Sequence, residues 1–279
     1  MTKIIKLGLI GDNISSSKSP RLHRAAGELT GSKVTYDRLI PKDMGLTFDA
    51  VFQLARMFGY RGINVTYPYK EVVISKVHVE DLFVRAIGAV NTVVFEQNEA
   101  KGFNTDYTGF MKAYRAVRGD AAPETVCLIG TGGVGKAVAF GLISLGAKAI
   151  RCVDLDPTKA EALAYALRML GSSTQVETAS DAIVAAQGAD GIINCTPLGM
   201  MGIGGSPLPF AAIEGASWVF DAVYTPVDTA FLQDAERAGL TVISGYELFF
   251  GQGVDAWSIF TGVDIDHAAL RTAIAENEQ

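Results

Sequence analysis

Short apolar runs bounded by polar or glycine-containing turns recur along the chain, separated by longer stretches whose apolar residues fall three and four apart. The runs have the length of buried strands and the longer stretches the period of amphipathic helices. In the first part, strands are predicted over 4–10, 34–40, 62–66, 88–95 and 101–106, with helical segments over 22–29, 47–58, 70–76 and 79–87. On the second helix Phe48, Val51, Leu54 and Ala55 share one face. A helix over 107–117 leads into a loop at 118–124 that holds Gly119 and Pro123, which marks a boundary. Beyond it, strands at 126–129, 149–153, 174–177, 191–196, 218–223 and 240–244 alternate with helices at 136–145, 157–170, 180–187 and 229–238. Two further helices, 246–262 and 266–276, follow. Such alternation predicts an α/β protein with mostly parallel sheets covered on both faces.

The strand at 126–129 runs directly into Gly130-Thr131-Gly132-Gly133-Val134-Gly135, and a helix of small and apolar residues follows. Strand, glycine turn and helix are the context in which a G-x-G-x-x-G pattern signifies a dinucleotide site. Gly130 permits the tight turn, Gly132 lets backbone approach a pyrophosphate, and Gly135 allows close packing of helix on strand. Asp154 ends the next strand, 24 positions after Gly130. That is near the spacing at which an acid accepts hydrogen bonds from an adenosine ribose. A carboxylate there repels a 2′-phosphate, and the following Leu155, Asp156 and Pro157 supply no arginine to receive one. NAD is therefore expected in preference to NADP.

Composition narrows the class. The chain has 279 residues, 49% of them hydrophobic and 19% charged, enough for one large domain or two ordinary ones. A net charge of −6 argues against a nucleic-acid partner. No apolar run approaches a membrane span, and no signal-peptide pattern opens the sequence. Cys127, Cys152 and Cys195 lie inside predicted strands, as buried thiols of a reducing compartment do, so a cytoplasmic location is expected. His23, His78 and His267 show no ligand spacing with them, and no metal is expected.

Several polar residues stand at predicted strand ends: Asn64, Thr66, Lys70, Asn91 and Asp106. Singly, each has an ordinary structural use. Together, on one edge of a parallel sheet, they would line a cleft for a ligand with several hydroxyls. The loop at 12–20 is dense in hydroxyls. Ser17 and Ser19 serve there either as loop and cap residues, with Ser19 capping the next helix, or as donors to a small carboxylate.

Read in order, several segments resemble the signatures of the shikimate dehydrogenase family. They are Ser17-Lys18-Ser19-Pro20, Asn64-Val65-Thr66-Tyr67-Pro68-Tyr69-Lys70, Gly88-Ala89-Val90-Asn91-Thr92 and Asn104-Thr105-Asp106. The glycine turn, Asn194-Cys195-Thr196-Pro197-Leu198-Gly199-Met200 and Gly251-Gln252-Gly253-Val254-Asp255-Ala256-Trp257 continue the resemblance over nearly the whole chain. It implies a substrate domain of residues 1–108 with 246–279, and a Rossmann-type nucleotide domain over 109–245, with a cleft between them. It further implies that Ser17 and Ser19, with Tyr224, bind a substrate carboxylate. Asn64, Thr66, Asn91 and Gln252 would hold ring hydroxyls, Lys70 and Asp106 would form the catalytic pair, and Gly130, Gly132, Gly133, Val134, Gly135, Asp154 and Thr196 would receive the cofactor.

The implied reaction is reversible oxidation of a ring hydroxyl of shikimate or quinate, in aromatic amino acid biosynthesis or quinate catabolism. Asp154-Leu155-Asp156 departs from the Asn-Arg-Thr of NADP-linked members and is similar to the NAD-preferring quinate/shikimate subgroup. Lys70 would accept the hydroxyl proton if neutral, or stabilise the alkoxide as a cation. The expected partner is a hydroxylated cyclohexane or cyclohexene carboxylate, met by a monomer or homodimer. An aminoshikimate-type substrate, or a nucleotide-sensing homologue without catalysis, are the alternatives.

Overall fold

A computed structural model describes residues 4–97 and 99–276. The chain divides into two compact units, one of residues 1–105 with 252–279 and one of residues 106–251.

The first unit begins with β1 (Ile4–Ile10), α1 (Ser19–Leu29), β2 (Lys33–Leu39), α2 (Pro41–Met44), α3 (Phe48–Met57) and β3 (Gly62–Val65). It continues through α4 (Leu82–Ile87), β4 (Thr92–Phe95) and β5 (Ala100–Phe103). Its five-stranded sheet has the order β2-β1-β3-β4-β5. β1 runs parallel to β2 and β3, whereas β4 is antiparallel to both β3 and β5. Helix α3 forms because Thr47 accepts the Ala50 N–H at 3.2 Å and because an apolar stripe follows. Its buried face carries Phe48, Val51, Phe52 and Ala55, so Phe52 stands where Leu54 was expected. Asp81 caps the Phe83 and Val84 N–H groups, which is why the 79–87 segment becomes helical only at Leu82.

The helix expected at 70–76 is reduced to one 3₁₀ turn, Val73–Lys76. The Lys70 carbonyl accepts the Val90 N–H at 2.9 Å and so serves a neighbouring chain segment. Ser19 does not cap α1 either. Lys18 holds the cap position without a side-chain bond, and Ser19 lies within the first turn, where its N–H meets the Ser17 hydroxyl at 3.3 Å.

α5 (Thr105–Arg118) carries the chain into the second unit, so the expected boundary at 108 falls inside this helix. There follow β6 (Thr125–Ile129), α6 (Gly133–Ser144), β7 (Ala149–Val153), α7 (Pro157–Arg168), β8 (Gln175–Ala179), α8 (Ala182–Ala186) and β9 (Gly191–Asn194). Next come β10 (Trp218–Asp221), α9 (Ala230–Arg237), β11 (Thr241–Ser244) and α10 (Gly245–Thr261). The six strands are all parallel, in the order β11-β10-β9-β6-β7-β8. This is the doubly wound nucleotide-binding topology, with its switch point between β6 and β9. Its central strands β6, β9 and β10 read as nearly continuous apolar runs because both faces are buried, whereas the edge strand β8 alternates and is largely exposed. α10 returns the chain to the first unit at residue 252, and α11 (His267–Glu276) ends it. No helix among the described residues is long and apolar enough to cross a membrane.

Candidate active site

In the first unit the polar strand-end residues meet at one sheet edge. β3 ends just after Asn64, and β4 starts just after Asn91 in the opposite direction. Asn91 therefore reaches that edge by preceding its strand, not by ending it, and Asn64 lies opposite Thr92 in the register. The Asn64 amide donates to Thr92 Oγ1 at 3.0 Å and to the Asn91 carbonyl at 3.4 Å. Its Oδ1 accepts the Tyr36 hydroxyl at 2.8 Å. Asn91 Oδ1 accepts the Thr105 N–H at 2.8 Å and the Thr92 hydroxyl at 3.1 Å, while its amide donates to Thr105 Oγ1 at 3.0 Å. Thr105 Oγ1 also reaches Gln252 Oε1 at 3.4 Å, so the two asparagines and Gln252 share one network.

Thr66 lies just past β3, its N–H bonded to the Ile10 carbonyl at 2.9 Å. The Ser17 hydroxyl donates to Ser19 Oγ at 3.2 Å, and Arg38 fixes that loop through the Ser17 carbonyl at 2.8 Å. Lys70 is half-buried in the turn after β3. Asp106 is buried in the first turn of α5 and is the first residue of the second unit. Tyr36, Thr92 and Thr105 escaped sequence reasoning. The repeated Asn-Thr pairs, Asn91-Thr92 and Asn104-Thr105, were the available signal for two of them.

The second unit gathers its predicted residues at the carboxyl ends of β6, β7 and β9. Gly130 adopts φ +95°, a conformation that side chains disfavour. A Cβ on Gly135 would stand 2.0 Å from the Gly130 carbonyl oxygen, so only glycine lets α6 begin so close to β6. A Cβ on Gly132 would meet nothing within 4 Å. Gly132 caps α6 with no side chain, and Gly133, Val134 and Gly135 form the first turn. The backbone N–H groups of that turn are thus left for an anion, as a dinucleotide pyrophosphate requires.

Asp154 accepts the Thr131 N–H at 2.7 Å and hydroxyl at 2.8 Å on one oxygen, and the Asp156 N–H at 3.0 Å on the other. Burial raises its pKa, but these donors outweigh burial and hold the carboxyl below its usual range. Leu155 beside it is fully exposed. Thr196 is held by Asn194, whose Oδ1 accepts its hydroxyl at 2.6 Å and its N–H at 3.0 Å. The ring of Tyr224 stacks on Phe249 with centroids 4.8 Å apart.

Two buried titratable groups give the units opposite responses to pH. Burial lowers the His23 imidazole to about 3, with its hydrogen bond to Asn64 acting the other way. Burial raises Asp221 to about 6 against three hydrogen-bond donors. The His23 contribution is complete above its ordinary value of 6.5 and is lost as pH falls from there towards 3. The Asp221 contribution is complete below 3.8 and is lost as pH rises to about 6. Each slope is at most about 1.4 kcal/mol per pH unit. Hydrogen exchange, corrected for intrinsic rates, should therefore show β3 amides less protected at pH 5 than at pH 7, and β10 amides more protected. Parallel changes in both strands would contradict these assignments.

Comparison with known proteins follows the same division. Residues 9–93 match the shikimate dehydrogenase substrate binding domain, and residues 125–202 match the model described as NADP oxidoreductase coenzyme F420-dependent. The chain is 36% identical to a shikimate dehydrogenase (NADP(+)) of Pseudarthrobacter chlorophenolicus, with 99% of this chain and 96% of that protein covered. It is equally 36% identical to a quinate/shikimate dehydrogenase (NAD(+)) of Corynebacterium efficiens, with 96% of each covered. Quinate dehydrogenase from Corynebacterium glutamicum, solved in complex with NAD, superposes with a TM-score of 0.89 at 32% identity, covering 98% of this chain and 100% of that one. With near-complete coverage, a substrate-domain match in the first unit and a doubly wound sheet in the second, the chain belongs to the shikimate dehydrogenase family.

Proposed function

We propose that this chain is an oxidoreductase that interconverts shikimate, quinate or both with their 3-dehydro ketones, using NAD in preference to NADP. Relatives named for NADP(+) and for NAD(+) both fall between 33% and 40% identity, so the choice turns on the residues after β7. The observation that carries it is Asp154, held ionised by Thr131 and Asp156 where an adenosine ribose would bind. Its charge opposes a 2′-phosphate, and Asp156 is spent capping α7 through Thr158.

Bound at the glycine turn formed by Gly130, Gly132, Gly133, Val134 and Gly135, NAD supplies a hydride acceptor. The protein's own residues handle the rest. Ser17 and Ser19, with Tyr224, take the substrate carboxylate. Asn64 uses both amide donors internally, and its Oδ1 meets both the Tyr36 hydroxyl and His23, so a ring hydroxyl there shares or replaces one of these contacts. Asn91 has its carbonyl oxygen engaged by Thr92 and Thr105, and keeps its second amide N–H to donate. Thr66 and Gln252 complete the set. Lys70 receives the hydroxyl proton or stabilises the alkoxide, and Asp106 orients it. Thr196 serves the nicotinamide end of the cofactor.

Absorbance at the NADH band, with shikimate and quinate as separate substrates, tests this reading. We expect kcat/KM for NAD to exceed that for NADP by at least about tenfold, or ~1.4 kcal/mol. Asp154→Ala should raise KM for NAD and narrow the difference. Equal use of both cofactors by the wild type would overturn the preference, and an inert wild type would overturn the activity.

A further inference from the structure

Asp221, the last residue of β10, is completely buried. It sits in register with Asn194 of β9, which is itself in register with Ile129 beside the glycine turn. Its Oδ1 accepts the Asn194 side-chain amide at 2.9 Å and the Val223 N–H at 3.0 Å, and its Oδ2 accepts the Thr229 hydroxyl at 2.6 Å. The donors lead to two loops, Asn194 to the one after β9 and Val223 and Thr229 to the one between β10 and α9. The same Asn194 amide donates to the Leu198 carbonyl at 3.0 Å, while Asn194 Oδ1 holds Thr196 by both hydroxyl and N–H. Val223 immediately precedes Tyr224. Thr229 caps α9 through the Leu232 N–H at 3.3 Å. A second tie joins the two loops directly, because the Met201 N–H donates to the Thr225 carbonyl at 2.9 Å.

We propose that Asp221 is a positioning residue, one buried carboxylate that sets the Thr196 loop and Tyr224 together. The loop assigned to the cofactor and the side chain assigned to the substrate carboxylate then share an anchor touching neither ligand. A carboxylate is the group for this place, since it offers acceptors only and meets three donors. An amide would turn an N–H towards one of those donors and break a link. The inference rests on the functional reading above for what the two loops bind, and on the hydrogen bonds alone for their common anchor.

The test compares the full-length wild type with Asp221→Asn, Thr229→Val and Thr229→Ser, each assayed well below its melting temperature. Three readouts are used: the Kd for NAD by titration calorimetry, KM for shikimate and quinate, and hydrogen exchange at the Thr196 and Val223 amides. Asp221→Asn is expected to weaken NAD and raise substrate KM by about tenfold each, with faster exchange at both amides. Thr229→Val should shift all three readouts in the same direction by less, and Thr229→Ser, which keeps the hydroxyl, should restore them. If Asp221→Asn fails to fold, the Thr229 pair carries the test. Lower melting temperatures with unchanged binding and exchange would overturn the proposal, as would loosening of only one loop. A wild type that turns over neither substrate, while Asp221→Asn still frees both amides, removes the substrate reading and leaves the anchor standing.

Discussion

Lys70→Ala is expected to lower kcat by at least about 10²-fold, within the 10² to 10⁴ that general acid–base participation contributes. KM for NAD should stay close to the wild-type value, because Lys70 lies in the first unit and the glycine turn in the second. The fold should tolerate the change. The lysine side chain is half-exposed, and the turn keeps its shape through the Lys70 carbonyl, which still accepts the Val90 N–H. The loss therefore belongs in the chemical step and should appear in single-turnover rates as well as in the steady state. A variant that turned over near the wild-type rate would strip Lys70 of its role and leave the alkoxide without its assigned partner.

The second large effect separates two glycines three positions apart. Gly135→Ala would force a methyl group to 2.0 Å from the Gly130 carbonyl oxygen. The oxygen is backbone and the methyl carbon is fixed by its own Cα, so neither can rotate away and α6 must move off β6. A cost of about 3 kcal/mol or more is expected, at the upper end for overpacking. Gly132→Ala adds a methyl group that meets nothing within 4 Å, at a residue with φ −70°. It should leave the melting temperature within about 2 °C and weaken NAD by an order of magnitude or more, because the methyl occupies the approach to the pyrophosphate. Thermal unfolding alongside NAD titration distinguishes the pair. Equal destabilisation by both would contradict the division of labour, and so would full NAD affinity in Gly132→Ala.

The nucleotide half was the more legible part of the sequence. All six of its strands were expected, and the strand expected at 126–129 is Thr125–Ile129. The central strands β6, β9 and β10 are buried on both faces and almost wholly apolar, so they announce themselves without a partner. The glycine turn was equally plain, since three glycines after such a strand have few other uses. The first unit was harder. Helix α2 is four residues long, too short for an amphipathic period to register, and the 70–76 segment lost its helix to the Val90 N–H. The grouping of Asn64, Thr66 and Asn91 was expected from parallel strand ends. It holds for a different reason, since the reversal of β4 returns Asn91 to the edge where β3 finishes.

Residue types and their spacing were sufficient for the α/β class, the glycine turn between β6 and α6 and the position of Asp154 after β7, because each depends on local periodicity or on a few consecutive residues. They carried no sign of the Tyr36 hydroxyl on Asn64, 28 positions away, or of Asp221 clasping Asn194 across 27. A threonine or tyrosine inside an apolar run reads as a strand former, and no glycine turn or motif beside Asp221 marks it as Asp154 is marked. Only strand order and register bring such groups face to face. Once buried there, each donor must find an acceptor or bear the cost of desolvation, and that requirement turns scattered polar residues into a network.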